Sequence, residues 1–269
     1  MITRYVRFRT DGEVRWGVLH DDETIQVVDG DPLTGTSPRS EHAISRNDVE
    51  ILVPATPSKI VGVGLNYATH AAESSKALPD EPLLFLKPLS ALLATERAIE
   101  LPDASRLVHH EAELAIVMAK RCRDLGPAQA ASAILGFTAA NDVSDRTLQR
   151  RDGQFTRGKG FDTFCPVGPA IATGLAADDL AIRCIVNGDV RQSSRTNDMV
   201  FDVATIVAFV SSVMTLEPWD IILTGTPEGV GALAPGDRVD VELENVGRLS
   251  NPVVLSDVPR GELKHSQRA

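Results

Sequence analysis

The 269-residue sequence has few aromatic residues, few cysteines and no long hydrophobic run. No apolar segment approaches the roughly 20 residues that a helix needs to span a bilayer. Three scattered cysteines, Cys122, Cys165 and Cys184, are too few for a disulfide framework or a cysteine-rich zinc site. The N-terminal residues also lack the basic-then-apolar pattern of a signal peptide. We therefore expect a cytoplasmic protein that works under reducing conditions.

Basic residues are outnumbered by acidic ones. Lys and Arg total 27 against 37 Asp and Glu, which gives a formal net charge of −10. Such a charge repels phosphate backbones and anionic lipid, so we expect neither nucleic acid nor a membrane as a partner. The content of 43% hydrophobic and 24% charged residues is typical of a globular chain. The length suggests one or two domains.

Short segments rich in β-branched residues dominate the chain, and helical patterns are few. The pattern in residues 1–55 predicts a small N-terminal β domain. Two closely spaced prolines in VPATPSK indicate a domain boundary. We expect residues 56–258 to form a second, larger domain and residues 259–269 a polar tail. An apolar pattern behind Asp202 predicts a helix that this residue caps. Because no regular alternation of strands and helices is present, the sequence predicts a β-rich α+β fold.

Two glutamates alternate in the segment HHEAEL. In a strand, Glu111 and Glu113 share one face about 7 Å apart, where their charges repel each other. A hard divalent cation removes that repulsion and prefers oxygen ligands. The adjacent His109 and His110 could instead suggest zinc, but the acids favour an all-oxygen site. A solvent-facing strand edge with alternating acids is an open alternative.

A second acidic cluster begins where the apolar stretch GFTAA ends. Asp142 could complete a three-carboxylate metal site, or it could cap the next turn. Arg146 and Gln149 follow four and seven residues later, so one helical face would hold all three. A guanidinium and an amide near a metal suit a carboxylate ligand. A surface run of salt bridges is the alternative.

Two further segments carry groups suited to catalysis. Lys159 stands between two glycines and could stabilise negative charge on an oxygen, although an exposed lysine is the simpler interpretation. His70 and Glu73 are three residues apart, so on a helix the carboxylate could orient the imidazole as a general base. A surface helix pair is the alternative. The glycine-rich turn after DIIL, which contains Thr226, could hold an anionic group.

Together and in this order, several blocks resemble the fumarylacetoacetate hydrolase superfamily, especially its short bacterial members. The resemblance runs from about residue 59 to residue 236. It implies that residues 56–258 form a catalytic domain built as a mixed β-sandwich or roll, with the small N-terminal domain in front, and that the protein is a homodimer. The blocks are VGVGLNYATHAAE, FLKP, HHEAELAIVM, GFTAANDVSDRTLQRRDGQFTRGKGFDTFCPVGP, VNGDVRQSSRT and TLEPWDIILTGTPEGVG.

The resemblance also implies roles for individual residues. This sequence departs from the common family pattern at Asp145-Arg146-Thr147, where family members usually read Ala-Arg-Asp. The departure puts the local packing and the choice of substrate in question, not the metal site. The implied roles are Mg²⁺ or Mn²⁺ ligands for Glu111, Glu113 and Asp142, a general-base pair for His70 and Glu73, oxyanion stabilisation for Lys159, and substrate contacts for Arg146, Gln149 and Thr226.

The implied activity is metal-dependent chemistry on small 2-oxo or 2-hydroxy-dienoic acids through a stabilised enolate. Hydrolytic C–C cleavage of an acylpyruvate or fumarylpyruvate is favoured slightly. The same site would serve an isomerase or tautomerase of the 2-hydroxyhepta-2,4-diene-1,7-dioate isomerase type, or a decarboxylase acting on oxaloacetate. A metal-stabilised binding protein without catalysis is a remote alternative, which the retention of both His70 and Glu73 opposes.

Overall fold

The first four strands follow one another as an antiparallel meander, and the N-terminal segment is β structure as predicted. The computed structural model describes residues 1–39, 43–73, 77–258 and 260. A tight turn with positive φ at Asp11 and Gly12 joins the first two strands. The segment after Gly30 has the glycine- and proline-containing composition of a loop but contributes a further strand. The strands are β1 (Thr3–Thr10), β2 (Glu13–Leu19), β3 (Thr24–Asp31), β4 (Gly35–Pro38), β5 (Ile44–Ser45) and β6 (Glu50–Ile51).

Strands also dominate the rest of the chain, which confirms the β-rich α+β prediction. The remaining elements are β7 (Ile60–Gly64), α1 (Ala68–Glu73), β8 (Leu83–Lys87), β9 (Leu92–Leu93), β10 (Ile99–Leu101), β11 (Val108–His109), β12 (Ala112–Met118), α2 (Pro127–Ala130), β13 (Ile134–Asn141), β14 (Ser144–Asp145), α3 (Arg146–Asp152), α4 (Thr156–Lys159), β15 (Cys165–Thr173), β16 (Ala181–Val186), β17 (Asp189–Arg195), α5 (Val203–Val213), β18 (Ile221–Leu223), β19 (Arg238–Leu243) and β20 (Gly247–Leu255).

Helix α5 begins where the sequence predicts. The Asp202 side chain accepts a hydrogen bond from Thr205 N at 2.7 Å, which satisfies one of the amides left open at the first turn. Ile206, Val207 and Val210 are buried against the core. No helix in the described ranges is long and apolar enough to cross a membrane.

Two large sheets organise the molecule. The larger runs in the order β4-β3-β2-β1-β15-β13-β12-β18-β7-β8, with three short strands attached, and the smaller runs β10-β20-β19-β16-β17. The N-terminal strands continue the larger sheet, because β1 pairs antiparallel with β15. The division of the chain into domains at residue 55 stays a prediction. Apart from Arg260, the predicted polar tail lies outside the described residues.

Strand β12 is buried on both faces, and this burial includes the carboxylate of Glu113. Leu114 and Ile116 pack into one hydrophobic cluster, and Ala115 and Val117 pack into another. Glu113 therefore lies on a covered face and is only 2% exposed. The alternative of a solvent-facing strand edge is wrong.

Candidate active site

Three carboxylates meet where β12 begins and β13 ends. The two strands are antiparallel with Ala112 opposite Asn141, so Glu111 and Glu113 at one strand start face Asp142 at the other strand end. All three are buried, and each offers an oxygen within 4.8 Å of the others. The prediction that Asp142 shares a helical face with Arg146 and Gln149 is wrong, because helix α3 begins only at residue 146.

Asp145, rather than Asp142, caps helix α3. Its Oδ1 accepts a hydrogen bond from Leu148 N at 3.0 Å, and its Oδ2 lies 3.0 Å from Arg106 Nη1. The cap holds Arg146 at the first helical position, with Gln149 one turn later. The departure from the family pattern at this point therefore supplies both a helix cap and a buried ion pair.

Lysine and arginine side chains surround two of the three carboxylates. Lys159 Nζ lies 2.7 Å from Glu111 Oε2 and 2.5 Å from Asp142 Oδ2, and it also donates to Ser144. Lys159 is 3% exposed, so the alternative of an exposed lysine is wrong. Arg146 forms an ion pair with Glu111, so this glutamate contacts two cations.

The surroundings shift the pKa values of the two glutamates in opposite directions. Burial favours the neutral form of Glu111, but Arg146 and Lys159 outweigh it and hold the pKa below its ordinary value. Burial raises the pKa of Glu113 well above its ordinary value, and the neighbouring Asp142 and Glu111 charges add to the effect. Glu113 is therefore the carboxylate that lacks a compensating positive charge.

A divalent cation fits this set of donors. Glu113 accepts a hydrogen bond from Gly225 N at 2.7 Å, but it forms no ion pair with a lysine or arginine of the described ranges. Near it, the buried hydroxyl of Tyr67 has no hydrogen-bond partner in the described part of the chain, and burial and the Glu113 charge raise its pKa. Carboxylate oxygens suit Mg²⁺ and Mn²⁺ better than zinc.

The two histidines beside Glu111 do not join the carboxylate cluster. His110 Nδ1 lies 3.1 Å from Gln192 Oε1 and contacts Cys184. Burial, together with the Arg146 and His110 charges, lowers the pKa of His109 to about 4. Among the described residues, the only cluster of three potential metal-ligating side chains is the carboxylate triad.

His70 and Glu73 lie on helix α1, as predicted, and line the same cavity as the triad. His70 Nδ1 is 3.2 Å from Glu73 Oε2, and Gly229 N donates to Glu73 Oε1 at 3.1 Å. His70 is 7% exposed, which contradicts the surface-pair alternative for the imidazole. The cavity has a volume of about 560 Å³.

Arg146, Gln149 and Thr226 also line this cavity. Arg146 Nη1 donates to Gln149 Oε1 at 2.8 Å across one helical turn. Thr226 Oγ1 donates to Ala112 O and accepts from Gln192 Nε2, both at 2.8 Å. The structure thus brings all nine predicted residues together in one place.

Two buried residues that support the triad were not singled out. Lys87 ends strand β8, and its Nζ lies 2.6 Å from Asp142 Oδ1. The only local sequence feature that could have pointed to Lys87 is its position at the end of an apolar strand, just before a proline. Gln192 accepts from Ala112 N at 3.0 Å and also bonds Thr226. It lies in a strand with mostly exposed residues, and nothing in the local sequence marks it.

Comparison with known proteins identifies the family. The model for the fumarylacetoacetate hydrolase C-terminal region matches residues 59–254, and a model named Rv2993c-like, N-terminal, matches residues 3–54. Oxaloacetate tautomerase of Xenopus laevis is 42% identical over 80% of this chain and 72% of its own length.

Two solved structures extend the comparison. The 5-carboxymethyl-2-hydroxymuconate delta-isomerase of Mycobacterium smegmatis is 43% identical with a TM-score of 0.86, covering 94% of this chain and all of its own. Maleylpyruvate hydrolase of a Sphingobium species, solved with manganese and pyruvate, is 32% identical with a TM-score of 0.78 at the same coverage. Since the family model covers well over half of the sequence, the chain belongs to the fumarylacetoacetate hydrolase family.

Proposed function

We propose that this protein is a divalent-metal-dependent enzyme that acts on small 2-oxo acids through their enol or enolate form. The observation that carries the proposal is the buried, uncompensated Glu113 beside Glu111 and Asp142, in a cavity that also contains His70 and Glu73. A buried carboxylate without a positively charged partner is costly, and a bound cation removes that cost. The cavity is large enough for a small organic acid.

Glu111, Glu113 and Asp142 would hold the cation, for which we propose Mg²⁺ or Mn²⁺. When bound, such a cation acts as a Lewis acid on substrate oxygens and lowers the energy of an enolate. The structure of the manganese- and pyruvate-bound relative supports both the metal class and the ligand class. We also propose a cytoplasmic homodimer.

His70 would move the proton. Its Nδ1 faces Glu73, so Nε2 is the nitrogen left to accept a proton from substrate carbon or from water. The Glu73 carboxylate is itself held by Gly229 N, which fixes the orientation of the pair. A positioned base of this kind contributes about 10²–10⁴-fold to a rate.

Lys159, Arg146 and Gln149 would bind and orient the substrate. The Lys159 ammonium is fixed by three oxygens at one edge of the cavity, where it can stabilise developing negative charge on an oxygen. The Arg146 guanidinium and Gln149 amide share one helix face and suit a carboxylate group.

Two reaction types use this arrangement. If His70 returns the proton to a different atom, the result is tautomerisation or isomerisation; if it activates water against a distal carbonyl, the result is C–C hydrolysis. The relatives named as tautomerase and isomerase are 42% and 43% identical, against 32% for the hydrolase. These values support isomerisation or tautomerisation ahead of the hydrolysis that sequence reasoning favours. Decarboxylation of oxaloacetate is a third use of the same enolate.

A substrate panel tests the proposal. The metal-loaded protein is incubated with oxaloacetate, an acylpyruvate and an unsaturated 2-hydroxy dioate, and NMR follows the keto–enol ratio, double-bond position, CO₂ loss and cleavage products. We expect metal-dependent turnover of at least one substrate, with chelator-treated protein as the control. Turnover of none would refute the enzymatic proposal and leave a metal-stabilised binding protein.

A further inference from the structure

The cavity wall contains a third cation, Arg150, whose surroundings differ from those of the other two. Arg146 forms an ion pair with Glu111, and Lys159 contacts both Glu111 and Asp142. Arg150 lines the same cavity and is exposed to it, and it has no ion-pair partner in the part of the chain that the structure describes. Its guanidinium is therefore available to an anionic ligand.

Helix α3 fixes the distance of Arg150 from the carboxylate triad. Arg150 follows Arg146 by four residues, so the two side chains leave the same helix face about 6 Å apart. Arg146 reaches Glu111 at the triad, and Arg150 lies one turn farther along the helix. A ligand that reaches both ends of this face needs a second anionic group several bonds from its metal-binding end.

Charge counting also favours an anion at this end. Lys87, Lys159 and Arg146 form ion pairs with Glu111 and Asp142, and the proposed cation would neutralise Glu113, so Arg150 is not needed at the triad. The other acid in the cavity wall, Glu73, is bound by Gly229 N and His70 and forms no ion pair with Arg150.

We propose that Arg150 binds a second, metal-remote carboxylate of the substrate and thereby selects 2-oxo dicarboxylates over 2-oxo monocarboxylates. The inference rests on the proposed function and names the substrate class of that site. The planar guanidinium suits a carboxylate because it can donate two parallel hydrogen bonds. Arg150 then determines specificity, while the groups at the triad perform the chemistry on either class.

A pair of matched ligands tests this role. 2-Oxoglutarate and 2-oxopentanoate share a five-carbon chain and a 2-oxo acid end, and differ in the distal carboxylate against methyl. Their affinities for the Mg²⁺-loaded protein are measured by calorimetry. We expect the wild type to bind 2-oxoglutarate about tenfold more tightly, which corresponds to about 1.4 kcal/mol.

Three variants separate Arg150 from general charge effects. Arg150→Gln should lose the preference by weakening 2-oxoglutarate alone, and Arg150→Lys should keep part of it. Arg151→Gln is the matched control, because Arg151 is exposed, pairs with Asp152 and lies outside the cavity. The Arg151→Gln variant should keep the preference for 2-oxoglutarate. An Arg150→Gln variant that keeps the preference, or that weakens both ligands equally, overturns the inference but not the proposed function. If neither ligand binds to the metal-loaded wild type, the inference fails, and the substrate panel decides separately whether the proposed function fails too.

Discussion

The ammonium of Lys159 lies 2.5 Å from Asp142 Oδ2 and 2.7 Å from Glu111 Oε2, so one side chain bridges two of the three carboxylates. This lysine ends helix α4, 17 residues after Asp142 and 48 residues after Glu111. The bridge lowers the electrostatic cost of the buried carboxylates. A cation bound by the triad would share those two carboxylates with Lys159.

Replacing Lys159 should therefore make stability depend on metal. Lys159→Met leaves two buried carboxylates with one cation fewer, which we expect to cost about 3–5 kcal/mol in the absence of metal. Saturating Mg²⁺ should restore more of the melting temperature in the variant than it adds in the wild type. Thermal unfolding with and without Mg²⁺ measures both, with Lys120→Met at an exposed site as the control. Equal Mg²⁺ effects on Lys159→Met and wild type would contradict the shared-carboxylate arrangement.

His70→Asn should separate catalysis from metal binding. The substitution removes the base but touches none of the triad carboxylates, so Mg²⁺ should raise the melting temperature as it does in the wild type. We expect turnover of the best substrate in the panel to fall by about 10²–10⁴-fold. Glu73→Gln should have a smaller effect, since it leaves the imidazole in place. Unchanged turnover in His70→Asn would contradict the role of His70 as the base.

Asp220 should matter for stability rather than for activity. Its carboxylate is buried between the starts of β7 and β18 and accepts hydrogen bonds from Ser58 N at 2.9 Å and Glu217 N at 2.7 Å, beside an ion pair with Lys59. Burial favours the neutral form, but these contacts outweigh it and lower the pKa of Asp220.

Because the folded-state pKa is depressed, the contribution of Asp220 is present above the unfolded value of about 3.9 and is lost as the pH falls through the folded value. We expect Asp220→Asn to cost about 2–3 kcal/mol at pH 7 and to flatten the acid-side loss of stability. Denaturant unfolding at pH 7 and below pH 4 measures this. Asp189→Asn, at an exposed carboxylate, should change stability by less than about 0.5 kcal/mol. A neutral Asp220→Asn would contradict the interpretation.

Gly62 leaves room for the aromatic ring of Phe85, which contacts the ammonium of Lys159. A Cβ at this position would lie 2.1 Å from Phe85, whose ring centroid is 4.9 Å from Lys159 Nζ. We expect Gly62→Ala to cost about 1–3 kcal/mol through overpacking and to lower substrate affinity by displacing the ring. Gly64→Ala is the control, since its nearest contact is a flexible leucine end at 3.3 Å. Equal stability losses in the two variants would argue against a specific role for Phe85.

Sequence reasoning succeeded where the determining interactions are local. The cap of α5 by Asp202, the β-rich fold and the common face of Glu111 and Glu113 all follow from neighbours within a few residues. It placed Asp142 in the carboxylate cluster but wrongly on a helix with Arg146, because a four-residue spacing does not reveal that the strand ends and Asp145 caps the helix.

Partners distant in sequence explain the residues that were not found. Lys87 contacts Asp142 across 55 positions, and Gln192 contacts Ala112 across 80. Both contacts depend on which strands become neighbours, and a local sequence pattern does not predict the strand order. Burial of the glutamates has the same origin, since only the packed sheets show that β12 is covered on both faces.

The most direct test of the metal-centred account is an anomalous difference map from crystals grown with Mn²⁺ and oxalate. We predict one strong peak within coordination distance, about 2.0–2.6 Å, of oxygens from Glu111, Glu113 and Asp142, with oxalate bound beside it and facing His70. A map with no peak at the triad, or with manganese only elsewhere on the protein, would contradict the account.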